Sequence, residues 1–199
     1  MSLTGTDAYS GRTGLPPLVA AAVELARRCG FAYSCRPEQG ELLRLLAHGV
    51  GAGSIGETGT GYGVGLAWLR SGAHPDARLT SIERDPDRAA EVRSLMAGIS
   101  GVTVVTGDWR DLPGAPVDLL VLDGGGQGKG TDEPLDPADW LRPGGTLVID
   151  DFTPMGGWPP VFEGRPDAVR MRWLGHPDLA TAEIRVTPTD ATLVATYIR

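Results

Sequence analysis

The stretch Ser54-Ile-Gly-Glu-Thr-Gly-Thr-Gly-Tyr-Gly-Val-Gly65 constrains this chain more than any other. A short apolar lead-in reaches an acid, Glu57. Glycines then alternate at Gly59, Gly61, Gly63 and Gly65, and Leu66-Ala-Trp-Leu69 reads as helix. Strand, glycine-rich turn and helix in that order build a cradle for a phosphate or nucleoside. Glycine permits the tight turn, and without a Cβ its backbone N–H can approach a ligand closely. A plain glycine-rich surface loop is the competing reading in a chain with 29 glycines. The strand and helix patterns on either side favour the cradle.

A length of 199 residues suits one domain with a real core. Residues 1–15 are polar and glycine-rich without a hydrophobic signal core, so they read as a flexible leader, and 16–199 as the single domain. No apolar run approaches a membrane span, and a cytoplasmic location is the default expectation. The net charge of −7 argues against nucleic acid as partner, because phosphate binding wants a basic face. Cys29 and Cys35 have no second pair and no nearby His, so they read as buried free thiols.

Taken in order, Pro16-Pro17 opens a helix that Gly30 ends, and a second helix runs from Pro37-Glu38 to His48-Gly49. After the glycine turn, Ala77–Glu83 is a strand, and Asp85-Pro86 caps and opens the next helix. Val102–Thr106 is β-branched throughout and reads as a third strand. Val117–Asp123 is apolar nearly end to end, as a strand covered on both faces should be. A short helix from Asp136-Pro137 leads through Arg142-Pro-Gly-Gly145 into a fifth strand, Thr146–Asp150. Phe152–Gly164 is rich in Pro, Gly and aromatics and reads as a loop over a site. The chain finishes with two strands, Ala182–Val186 and Ala191–Ile198, joined as a hairpin. The pattern is that of an α/β protein, a doubly wound, mostly parallel sheet with a C-terminal antiparallel hairpin.

The strands end on Glu83, Asp108, Asp123 and Asp150-Asp151. Ligands of open α/β sheets bind outside the carboxyl ends of the strands, so these acids converge on one crevice. Each alone reads as readily as a helix cap or solvated turn residue, and Asp85 is simply a cap. Glu83, about twenty residues beyond the glycine turn, suits both ribose hydroxyls of a nucleoside. Asp108 suits an adenine amine with Trp109 near the ring, although Trp109 is as readily a packing aromatic. A dinucleotide fingerprint needs Gly or Ala three beyond the second glycine, where Val64, Leu66 and Trp68 stand instead. The Gly-Lys-Ser/Thr of a P-loop is absent too.

With these residues the chain resembles the class I S-adenosylmethionine-dependent methyltransferases, and within them the catechol-type, metal-dependent O-methyltransferases. Glu57-Thr-Gly-Thr-Gly-Tyr-Gly63 is similar to the first motif of the class. Thr80-Ser-Ile-Glu83 matches the ribose-binding acid, Gly107-Asp108 the adenine-side acid, and Leu141–Asp150 the pre-strand turn and fifth strand. Pro37-Glu-Gln-Gly-Glu-Leu-Leu43 looks like the helix before the first strand in the O-methyltransferase branch. The resemblance runs from about Arg36 to the C-terminus and implies a seven-stranded Rossmann-like methyltransferase sheet.

The resemblance implies that Glu57, Gly59, Gly61, Gly63, Glu83, Asp108, Trp109 and Asp123 bind the cofactor. It implies that Asp123, Asp150 and Asp151 hold Mg²⁺, Mn²⁺ or Ca²⁺, with Asp151 standing where the branch has Asn. Oxygen ligands suit such ions, and a bound cation lowers the pKa of an acceptor hydroxyl. The branch has a lysine as general base three residues past the first metal Asp. That position is Gly126 here, and the nearest lysine is Lys129. The catalytic expectation therefore falls on Asp123 and Lys129. The expected activity is methyl transfer to a hydroxyl of a small molecule, with homodimers common in the branch. N- or C-methyl transfer without metal, a non-catalytic cofactor-binding module and a nicotinamide-dependent oxidoreductase are the alternatives, the last opposed by the glycine spacing.

Overall fold

The structure is a computed structural model and describes residues 4–199. Five parallel strands, β1 (Ser54–Thr58), β2 (Arg78–Glu83), β3 (Val102–Thr106), β4 (Val117–Leu122) and β5 (Leu141–Phe152), form the body of one sheet. A two-stranded ribbon, β6 (Val161–Phe162) and β7 (Arg165–Pro166), stands apart from it. The last strands, β8 (Leu179–Arg185) and β9 (Ala191–Tyr197), join antiparallel, giving the order β3-β2-β1-β4-β5-β9-β8. The seven strands and the closing hairpin are those expected, with β8 beginning three residues earlier than the sequence suggested.

Among the described residues are six α-helices, two before β1 and four between later strands: α1 (Pro17–Arg28), α2 (Pro37–Gly49), α3 (Val64–Gly72), α4 (Pro86–Leu95), α5 (Pro137–Trp140) and α6 (Ala168–Leu174). Four of them carry Pro in the first turn, where the missing N–H costs nothing. Asp85 caps α4 by accepting from the N–H groups of Asp87 and Arg88. In β4, Leu119 and Val121 point into the core under α1, α3 and α4, while Leu120 and Leu122 point into the core around Trp173. Burying each such leucine stabilises the fold by roughly 2 kcal/mol. That two-sided burial is why the strand is apolar throughout.

β1 lies between β2 and β4, so the chain first winds outward to β3 and then returns to β4. This reversal opens a crevice at the carboxyl ends of β1 and β4, which is where the glycine turn sits.

Three expectations need correction. Gly5–Tyr9, read as part of a flexible leader, is packed onto the body, whereas Ser10–Gly14 are exposed; residues 1–3 lie outside the described residues. Tyr9 is 2% exposed, accepts from Trp68 Nε1 at 2.8 Å and donates to the Cys35 carbonyl at 3.0 Å. A single aromatic with a satisfied hydroxyl thus anchors a segment that composition marked as loose. Cys29 is exposed just past the end of α1; only Cys35 is a buried free thiol. In the loop after β5, Trp158 and Phe162 are 69% and 54% exposed and line neither cleft described below.

Candidate active site

The glycine turn is built by two close approaches. Gly59 (φ +87°) brings the tip of β1 against the backbone after β4, where an added Cβ would lie 2.5 Å from Gly124 Cα. Gly63 (φ +81°) lets α3 begin against α4, where a Cβ would meet Val92 Cγ1 at 2.8 Å. Both positions demand glycine by conformation as well as by space. Gly59 lines the cleft, whereas Gly63 serves the packing behind it.

Glu83 holds the turn open. Its Oε2 accepts from Gly61 N at 2.8 Å, and its Oε1 accepts from Asp85 N at 3.0 Å. Each carboxylate oxygen keeps a further lone pair, so both can still receive ribose hydroxyls. Glu57 lies beneath the turn and not in the cleft wall: it is 2% exposed and accepts from Ser81 Oγ at 2.5 Å, with Thr60 Oγ1 at 2.6 Å from the same serine. Burial pushes its carboxyl up to about 8, against the opposing Ser81 hydrogen bond. Glu57 is therefore a neutral support of the turn near neutrality.

Together these elements frame a cleft of about 200 Å³. Gly59–Tyr62 and Gly65 form one wall, Glu83, Asp108 and Trp109 the next, and Asp123 closes the inner end. Asp108 caps the 3-10 turn Trp109–Asp111 and pairs with Arg110 at 2.9 Å. Its carboxyl is lowered chiefly by the Arg110 backbone N–H. The Trp109 ring packs over Gly125 and Gly126 with the Arg110 guanidinium 4.6 Å from its centroid, and the residue lines the cleft.

The opposite wall was missed. Phe31, Tyr33, Ser34 and Cys35, from the non-helical joint between α1 and α2, line the cleft together with Arg84 and Arg88. Thr6 fixes this joint by donating to the Phe31 carbonyl at 2.6 Å and bonding Ser34 Oγ at 2.8 Å. Two aromatics between helices, Phe31 and Tyr33, were the available signal.

A second, smaller cleft adjoins the first through Tyr33, Ser34, Cys35 and Asp123. Here the ends of β4 and β5 bring Asp123, Asp150 and Asp151 together, with one carboxylate oxygen of each lying within 4.8 Å of the others. Burial, then Asp150, pushes Asp123 up to about 7, and burial raises Asp150 to about 6. Asp151 has φ +67°, a left-handed conformation that Asp and Asn tolerate better than other side chains with a Cβ. That backbone demand suits the Asn-to-Asp difference from the branch. Half-buried carboxylates this close favour a hard cation with oxygen ligands, so the donor set fits a divalent ion.

Lys129 does reach this cluster. Its Nζ donates to the carbonyls of Asp150 and Asp151 at 2.6 and 2.7 Å and lies 4.2 Å from the Phe152 ring centroid. Burial lowers its ammonium to about 8, against the pull of Asp150 and Asp123. The structure thus gathers Gly59, Gly61, Glu83, Asp108, Trp109 and Asp123 at one cleft, and Asp123, Asp150 and Asp151 at the next, with Lys129 held behind them on the carbonyls of Asp150 and Asp151. Glu57 and Gly63 stand behind.

Residues 57–152 match the family model described as "Methyltransferase domain". Sheet order and glycine turn agree with this match: the segment resembles a class I methyltransferase domain, and the chain is similar to the catechol-type O-methyltransferases. A protein of Mycobacterium sp. (strain JLS) named as an O-methyltransferase is 35% identical over 143 residues, covering 66% of this chain and 63% of that protein. Rv1220c of Mycobacterium tuberculosis (strain ATCC 25618 / H37Rv), also named as an O-methyltransferase, is 32% identical over 147 residues, covering 66% and 62%. The chain therefore spans somewhat less than two thirds of these relatives. Among solved structures, cofactor-bound Rv0187 from MTB superposes with a TM-score of 0.74 at 26% identity, covering 99% of this chain and 98% of that one. The O-methyltransferase TomG from Streptomyces achromogenes, in complex with SAM, gives 0.72 at 23%, covering 98% and 96%, and shares the fold.

Proposed function

We propose that this protein transfers the methyl group of S-adenosylmethionine to a hydroxyl of a small molecule. The observation that carries the reading is the meeting of two clefts at Asp123, one shaped for a nucleoside and the other lined by carboxylates. Glu83 receives the ribose hydroxyls, Asp108 and the Trp109 face receive the adenine, and the Gly59–Gly61 turn admits the methionine end. The cofactors named for the superposed structures, SAM with TomG and SAH with the Bacillus cereus O-methyltransferase, agree with that assignment.

The sulfonium methyl is already activated, so the protein's work is to hold oxygen, carbon and sulfur in line. The acceptor oxygen forms the new bond to carbon, the carbon–sulfur bond breaks with its electron pair passing to sulfur, and S-adenosylhomocysteine leaves as a neutral thioether. The hydroxyl proton must go to a base, and in the absence of a cation Asp123, at the junction of the two clefts, is placed to receive it. Asp123, Asp150 and Asp151 would hold a divalent cation, which supplies positive charge that favours the ionised hydroxyl. Lys129 keeps a positive charge beside the same carboxylates.

That resident ammonium supports a second reading in which methyl transfer proceeds without metal. Calorimetric titration with S-adenosylhomocysteine tests the cofactor assignment, and absence of binding at millimolar ligand would sink it. Repeating turnover of a catechol with Mg²⁺ and with EDTA separates the two readings, because only the metal-assisted one predicts loss under EDTA. Among the described residues no helix is long and apolar enough to cross a membrane. A cytoplasmic location and a homodimer complete the proposal; gel filtration and fractionation test them.

A further inference from the structure

Gln39 is buried on α2, 3% exposed, and lines the second cleft beside Asp150 and Phe152. Its Nε2 donates to Thr192 Oγ1 at 3.4 Å, and Thr192 donates at 2.9 Å to the carbonyl of Ile149, the residue before Asp150. Because the Thr192 proton is committed to Ile149, its oxygen must accept, which turns the amide nitrogen toward Thr192 and leaves the amide oxygen elsewhere. That oxygen, Oε1, has no hydrogen-bond partner. Buried polar atoms in native proteins are nearly always paired with protein, ordered water or ligand, so an orphan on a residue that lines a cleft calls for a partner from outside the chain.

The rest of the cleft agrees in sign. Its other polar side chains include the acceptors Asp123, Asp150 and Asp151, while its cationic residue, Arg36, is engaged by Asp190 at 3.2 Å. A site offering acceptors selects donors. Asp123 lines both clefts, so the hydroxyl that is methylated faces it, whereas Gln39 lines only the second and meets a more distant part of the acceptor. We propose that Gln39 determines specificity, its Oε1 accepting a hydrogen bond from a second hydroxyl or amino group carried by the acceptor away from the reacting oxygen. The acceptor class is then a small diol bearing a further donor. This inference rests on the methyl-transfer reading.

Matched catechols carrying either hydroxyl or methyl at ring position 3, or at position 4, test it in the full chain. At one of the two positions the wild type should favour hydroxyl over methyl by about tenfold in kcat/KM, the scale of one satisfied neutral hydrogen bond. Gln39→Leu should bring that ratio to within about twofold of one, with S-adenosylhomocysteine affinity unchanged; Gln39→Met serves if the leucine variant does not fold. Absence of the preference in wild type, or its persistence in the variants, overturns the proposal. If wild type binds S-adenosylhomocysteine but methylates none of these catechols, the methyl-transfer reading fails on its own. The same pairs are then titrated calorimetrically into that complex: a hydroxyl preference lost in the variants supports Gln39, and no preference or no binding overturns it.

Discussion

The two clefts meet at one residue and are held in opposite ways. On the cofactor side the acids and hydroxyls around the glycine turn are paired: Gly61 N and Asp85 N on Glu83, Ser81 on Glu57, Thr60 on Ser81. On the acceptor side three carboxylates crowd together, Lys129 is held by carbonyl oxygens, Asp151 sits at φ +67°, and Gln39 Oε1 is unpaired. The first cleft is preorganised before its ligand arrives. The second reaches its lowest energy only when charge and donors are supplied from outside.

The comparison can be broken most severely at the contact that joins the halves. Gly59→Val puts a side chain into the Gly124 backbone at a positive φ, so we expect S-adenosylhomocysteine affinity to fall at least ~100-fold and stability by roughly 3 kcal/mol, read by calorimetry and thermal melting. Next comes Asp150→Ala with Asp151→Ala. In Mg²⁺ the rate on catechol should drop about 100-fold, the scale of a lost cation's charge stabilisation. Without metal, Asp150→Asn with Asp151→Asn should melt higher than wild type, because like charges are removed while a residue tolerant of the left-handed conformation stays at 151. An unchanged rate in Mg²⁺ would remove the metal from the mechanism.

A milder cut is Glu83→Gln, which keeps shape but removes charge from the acceptor of two backbone N–H groups. S-adenosylhomocysteine should bind about tenfold more weakly while Mg²⁺ affinity stays the same, and a matching loss in both would dissolve the distinction between the clefts. The smallest effect on binding belongs to Glu57. Its folded value of about 8 lies above the ordinary glutamate value of 4.5, so the folded state holds the extra proton between them. Stability is then full below the unfolded value and declines as pH rises through the folded one, by up to ~1.4 kcal/mol per pH unit. Glu57→Gln should flatten that slope in urea melts between pH 5 and 8. An identical slope would show that the carboxyl is not the titrating group.

What could be read from the chain follows the same divide. The strands, the closing hairpin and the acids at the strand ends were legible because β-branched runs, proline-opened helices and terminal acids are local signals. Thr4–Tyr9 and Phe31–Cys35 were not, because their order comes from contacts between segments far apart in sequence, such as Tyr9 with Trp68. Lys129 was visible only as a residue on a glycine-rich loop, and its reach depends on how that loop folds over Phe152. Glu57 and Gly63 were recognisable as motif members, yet spacing says nothing about which motif residues face a ligand and which brace those that do. Trp158 and Phe162 misled because apolarity alone does not specify the surface against which a loop packs.

The seating of Tyr9 bears on how the protein is handled. Its hydroxyl ties the turn Asp7–Tyr9 to Cys35, and Thr6 ties it to Phe31 and Ser34, so Thr6 and Tyr9 brace a wall shared by both clefts. An affinity tag joined near Thr6 thus bears on the reaction chamber itself. Kinetic constants compared between laboratories should therefore come from protein tagged at the same end.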